Sequence, residues 1–113
     1  MIQDQPRPTW SPVPREGTRG VDFRVLLGRD GILVANLRFA ADATIDQHSA
    51  PHDIDVICIA GCGYTSVGGD VFVIGAGQTV RWPRDIDHRL WTEGEPMETI
   101  MVERHGDGGL EAR

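Results

Sequence analysis

The sequence predicts an all-β domain, a sandwich or barrel of short antiparallel strands. Three observations lead there. From Val21 onward, apolar and β-branched residues fall in short runs separated by turn residues, and no stretch holds a helical period. The 14 Gly and 7 Pro favour many turns over long helices. The 113 residues suit one domain, long enough to bury a real core without disulfides or metals as staples.

The elements follow in order. Residues 1–20 are polar and Pro-rich without a period, and read as an extended arm with Trp10 as an anchor. Residues 21–27 and 32–39 form a strand pair around the turn signal Gly28-Arg29-Asp30-Gly31. Residues 56–60 are continuously apolar, which predicts a strand buried on both faces, ended by Gly61-Cys62-Gly63. Residues 64–67 and 71–74 flank Gly68-Gly69-Asp70, a hairpin signal. Residues 78–82, 88–91 and 97–103 complete a set of about nine strands. The organisation is an arm at 1–20, a barrel domain at 21–106 and a flexible tail at 107–113.

Charge narrows the partners. Eleven basic against 17 acidic residues give a formal net charge of −6, which repels phosphate backbones, so nucleic acid is not an expected partner. The first residues lack the apolar region of a secretory leader, and no apolar run approaches the ~20 residues of a membrane span. The expectation is a cytoplasmic protein without membrane contact. Its two cysteines, Cys58 and Cys62, would stand ~13 Å apart on an extended strand, too far for a disulfide.

Two segments carry a resemblance. The stretch Gly77-Gln78-Thr79-Val80-Arg81-Trp82-Pro83-Arg84-Asp85-Ile86-Asp87-His88 resembles the second motif of the cupin family, G-x5-P-x-G-x2-H-x3-N. Gly77, Pro83 and His88 stand at its spacing, Asp85 replaces the second Gly, and Thr92 stands for Asn. The first motif, G-x5-H-x-H-x3,4-E-x6-G, is met by His48 and Gly61. Asp42 stands at the opening Gly and Ala50 at the second His. Asp55 fills the acidic position in the longer variant, and Ile54 in the shorter one. The resemblance covers roughly residues 41–92 and implies a cupin-type antiparallel jelly-roll β-barrel with an extended N-terminal arm.

It also implies a place for a metal, since three His and one Glu usually converge inside metal-binding cupins. This chain offers His48, His88, Asp55 and a displaced His52. Two imidazoles and a carboxylate make a facial triad that suits non-haem iron, and His52 as third nitrogen gives a set compatible with Fe, Mn, Ni or Zn. Strand alternation sets a condition. His48, Ala50 and His52 share one face and Asp55 lies on the other, unless Pro51 and a bulge restore the phase. Without a metal, the histidines make ordinary hydrogen bonds.

Around them, Tyr64, Trp82 and Trp91 are candidates for the substrate pocket, although strand aromatics more often pack in a core. Arg81 and Arg89 alternate with Trp82 and His88 and should face outward. Cys58 suits core packing, nothing near Cys62 in sequence would activate a thiolate, and His105 reads as a surface residue. No Ser-His-Asp spacing, phosphate loop or C-x-x-C pair is present. Two functions follow. One is a metal-dependent enzyme, dioxygenase-like or isomerase-like, on a small organic molecule. The other is a non-catalytic module binding a sugar-like or aromatic ligand. Ile54 turned inward instead of Asp55 would favour the module. A homodimer through the arm and a sheet edge is the expected assembly.

Overall fold

The computed structural model describes residues 1–2 and 8–105. The tail at 107–113 and residues 3–7 of the arm lie outside that range. The described residues form eight strands and no helix: β1 (Ser11–Pro12), β2 (Thr18–Arg29), β3 (Ile32–His48), β4 (Asp53–Val67), β5 (Asp70–Gly75), β6 (Thr79–Trp82), β7 (His88–Trp91) and β8 (Met97–Arg104). None of it is a helix long and apolar enough to cross a membrane.

Two long strands build the barrel by serving both of its walls. The first half of β3 pairs with β8, from Ile32 opposite Arg104 to Phe39 opposite Met97. Its second half pairs with β7, from Thr44 opposite Trp91 to His48 opposite His88. β4 divides likewise: residues 53–61 lie beside β8 and β6, and residues 62–67 beside β5 and β7. All pairings are antiparallel. A strand that bends across a corner in this way closes two sheets into a barrel.

The number and length of strands therefore differ from expectation. The run at 56–60 does not end at Gly61-Cys62-Gly63 but continues through it, with a register shift between Cys58 and Ala60. Gly61 has φ 74, and a Cβ there would collide with the Pro96 carbonyl, so glycine lets the strand turn the corner instead of stopping it. Nor is the run buried on both faces. Ile54, Val56 and Cys58 point into the core, whereas Ile59 is 46% exposed, the alternation of a wall with one wet face.

The core between the walls is packed by Leu37, Phe39, Ile45, Val56, Trp82 and Leu90, all nearly inaccessible. Both expected hairpins form. Asp30 and Gly31 take φ 53 and 75 between β2 and β3, and Gly68 takes φ 63 between β4 and β5. Trp10 does anchor the arm: the guanidinium groups of Arg24 and Arg38 lie 4.4 and 4.3 Å from its ring centre. Ser11 and Pro12 pair with Phe23 and Asp22 of the same chain, and Val13 packs on the core. β2 begins at Thr18, before the Val21 at which the first strand is expected from sequence.

Candidate functional site

The antiparallel register makes His48, at the end of β3, the direct partner of His88, at the start of β7. Cross-strand partners share a face, so both rings enter the barrel together. Their Nε2 atoms are 3.2 Å apart, and the rings meet edge to face with centroids at 4.5 Å. Trp82 lies flat against His88, 4.0 Å away and only 8° from parallel. The indole Nε1–H donates to the Thr65 hydroxyl at 3.0 Å, and that hydroxyl donates to the Arg89 carbonyl at 2.9 Å. These bonds leave Trp82 one orientation, and the stacked His88 inherits it.

The turn before His88 explains why the second motif survives its substitutions. Asp85, at the position of the motif's second glycine, adopts φ 62, a conformation that Asp tolerates better than most side chains. Thr92, at the Asn position, accepts from the Ala43 amide at 2.9 Å and donates to the Ala40 carbonyl at 2.6 Å, tying the end of β7 to β3.

Burial pushes both imidazoles toward the neutral form. His48 is lowered from its ordinary value chiefly by desolvation, against the opposing contact of its Nδ1 with the Asp46 carbonyl at 2.8 Å. His88 is lowered to about 4, first by burial and then by the neighbouring His48 charge. The positive charge of Arg15, from the arm, pushes both in the same direction. With Nδ1–H of His48 donating to Asp46, its Nε2 lone pair faces His88. The buried Nδ1 of His88 has no hydrogen-bond partner.

His48 and Trp82 line a cavity of about 310 Å³, walled mainly by apolar side chains such as Phe23, Leu33, Leu37 and Met101, with Val13, Pro14 and Arg15 of the arm along one side; His88, stacked on Trp82, does not itself line it. Ile54 is 5% exposed and lines this cavity. Asp55 points to the opposite, outer face, where Arg81 donates to its two carboxylate oxygens at 2.6 and 3.0 Å. That bond holds the Asp55 carboxyl below its usual range.

The sequence candidates thus separate. His48, His88 and Trp82 come together. Asp55 does not join them, because no bulge restores its phase: β4 runs regularly from Asp53 to Cys58 against β8. His52 lines the cavity but bonds Glu103 at 3.0 Å instead of the other histidines. Tyr64 and Trp91 stack on each other 5.7 Å apart and do not line the cavity. Arg89 covers Trp91 at 4.2 Å. Cys58 is fully buried and Cys62 partly so, neither in a disulfide, and desolvation raises both thiols. Sequence reasoning missed Arg15 and Glu103. Nothing local marks either one, because only the fold of the arm and the β4–β8 register bring them to the cavity.

Comparison with solved structures places this barrel. A polyketide cyclase, RemF from Streptomyces resistomycificus, superposes with TM-score 0.83 at 16% identity, covering 94% of this chain and 81% of that one. An RmlC-like cupin from Shewanella frigidimarina gives TM-score 0.80 at 16% identity, over 93% of this chain and 90% of that one. This chain has the cupin fold. A cupin-like protein from Thermotoga maritima agrees, with TM-score 0.80, 20% identity and coverage of 90% and 82%. No protein-family model and no curated protein matches the sequence.

Metal-binding cupins pose a direct test of the residues present. His48 and His88 supply two nitrogens aimed at one another. Beyond them the cavity offers Ala50 and Ile54 where the second His and the acid would stand. Two nitrogens fall short of the three protein ligands of a catalytic site, so the inner pair does not fit the cupin metal set.

Proposed function

We propose that this cupin binds a small organic molecule in its barrel without a metal at the inner histidines, the ligand being largely apolar or aromatic with one anionic group. The observation that carries this reading is Ile54, turned inward in the place of the acidic ligand. An apolar wall with a few convergent polar groups is the usual design of a small-molecule site. Arg15 supplies the cation for the anionic group, and His48, paired with His88, supplies a hydrogen-bonding imidazole in the wall. Trp82 lines the cavity and stacks on His88, adding an aromatic surface. Apolar lining favours an aromatic ligand over a sugar-like one.

The test is a calorimetric screen of aromatic carboxylates against untagged protein in excess EDTA. Binding that persists in EDTA and weakens about tenfold or more in Arg15→Ala is the expected result. Ligand binding only after a divalent ion is restored, and lost in His48→Ala, would overturn it.

The second reading is a divalent-metal enzyme, dioxygenase-like or isomerase-like. It draws on the converging Nε2 atoms of His48 and His88 and on the presence of a polyketide cyclase among the structural neighbours. Near-stoichiometric metal that disappears in both His48→Ala and His88→Ala would make it the better account.

A further inference from the structure

A second pair of histidines lies beside the same cavity, with His52 in its wall, and the strand register builds it. β4 and β8 run antiparallel with Ile54 opposite Glu103 and Asp53 opposite Arg104, so one rung further His52 stands opposite His105. Alternation puts residues 52 and 54 on one face of β4 and its lead-in, and residues 103 and 105 on the matching face of β8 and its exit. Ile54 points into the cavity, which turns the whole set toward its rim. The backbone amide of His105 still donates to the Gly31 carbonyl at 2.8 Å, so the chain is held past the last strand residue.

The side chains converge. Nε2 of His52 is 3.0 Å, and Nε2 of His105 3.3 Å, from the same oxygen of Glu103. The two imidazoles stack with centroids 4.2 Å apart and 15° between planes. One nitrogen from each histidine and one carboxylate oxygen all lie within 4.8 Å of one another, the one such group of three among the described residues. Their side chains are 17, 24 and 44% exposed for His52, Glu103 and His105, anchored yet open to solution. Two imidazoles and a carboxylate are the donor set of many catalytic zinc and non-haem iron sites.

We propose that His52, Glu103 and His105 bind one divalent transition-metal ion at the rim of the cavity, a site separate from the His48–His88 pair. Three protein ligands leave positions open on the ion. Because His52 and Glu103 also line the cavity, those positions belong to water or to the anionic end of a ligand held there.

The experiment uses untagged, chelator-stripped protein, titrated with Zn2+ against a competing dye and with Co2+ followed by its visible absorption. One equivalent is expected in the wild type and in the His48→Ala/His88→Ala double variant. His105→Ala and Glu103→Gln should each weaken binding by roughly 100-fold, at least the upper end of the loss seen for residues that merely support a ligand. His105 lies beyond the last strand, so its variant should melt like the wild type. No uptake by the wild type overturns the proposal, as does uptake that survives His105→Ala or vanishes in the double variant. Failure here leaves ligand binding in EDTA untouched, so the two readings fail separately.

Discussion

Two pairs of histidines meet one cavity, through His48 and His52, and their surroundings give them different chemistry. His48 and His88 are sunk against Trp82 with no carboxylate hydrogen-bonded to either ring, and burial favours their neutral form. His52 and His105 stack on each other beside the cavity, both bonded to Glu103 and partly open to water. The residue type is the same, but the carboxylate is what the inner pair lacks and the outer pair has. A buried imidazole with no carboxylate bonded to it is a hydrogen-bonding and packing group, whereas imidazoles bonded to a carboxylate form a cation site. In this cupin-fold barrel the inner motif histidines therefore read as support for a ligand pocket, and the rim as the place for an ion.

The comparison breaks most severely if the support of the inner pair is removed. Trp82 is 2% exposed, stacks on His88 and donates to Thr65. Trp82→Ala should cost about 3–5 kcal/mol, the range for deleting a large buried aromatic. Urea unfolding at neutral pH measures it. A loss under about 1 kcal/mol would mean that the inner pair does not depend on the indole for its place.

The next effect is the pH dependence of the inner pair. His88 titrates at about 4 in the fold against about 6.5 in the unfolded chain, so between these values the unfolded state holds the extra proton. Stability should be complete above pH 6.5, fall as pH drops toward 4, and level off below, a total of roughly 3 kcal/mol. The lowered His48 acts with the same sign. Unfolding free energies from pH 7.5 to 4.5, in the wild type and in His88→Gln, give the slope. A wild-type profile as flat as that of the variant would place His88 in water.

How much of this was legible in the sequence follows from where each signal resides. Turn chemistry is local, so Asp30-Gly31 and Gly68-Gly69 announced their hairpins, and Gly77, Pro83 and His88 announced the turn that delivers His88. The corner at Gly61 was not legible, because a glycine that bends a strand looks the same as one that ends it until the Pro96 carbonyl is seen against it. Period-2 alternation did identify Arg81 as outward, and it set the right question about Ile54 and Asp55. The answer needed the absence of a bulge between Asp53 and Cys58, which no residue in that stretch encodes. The rim cluster was least visible of all. Glu103 and His105 lie about fifty residues from His52, and only the pairing of β4 with β8 brings them together.

The smallest effect sharpens the same contrast from outside the barrel. Asp55 is the carboxylate that the first motif would place with the histidines, yet it is spent on Arg81, whose side chain is 52% exposed. An ion pair so open to solvent contributes little, because water screens it and both side chains lose freedom in forming it. Asp55→Asn should therefore change stability by no more than about 1 kcal/mol and leave the affinities for aromatic carboxylate and for Zn2+ unchanged. Calorimetry with each probe checks this. Loss of metal binding in Asp55→Asn would show that β4 can turn its acid inward, and the division between a carboxylate-free interior and a metal-ready rim would fall with it.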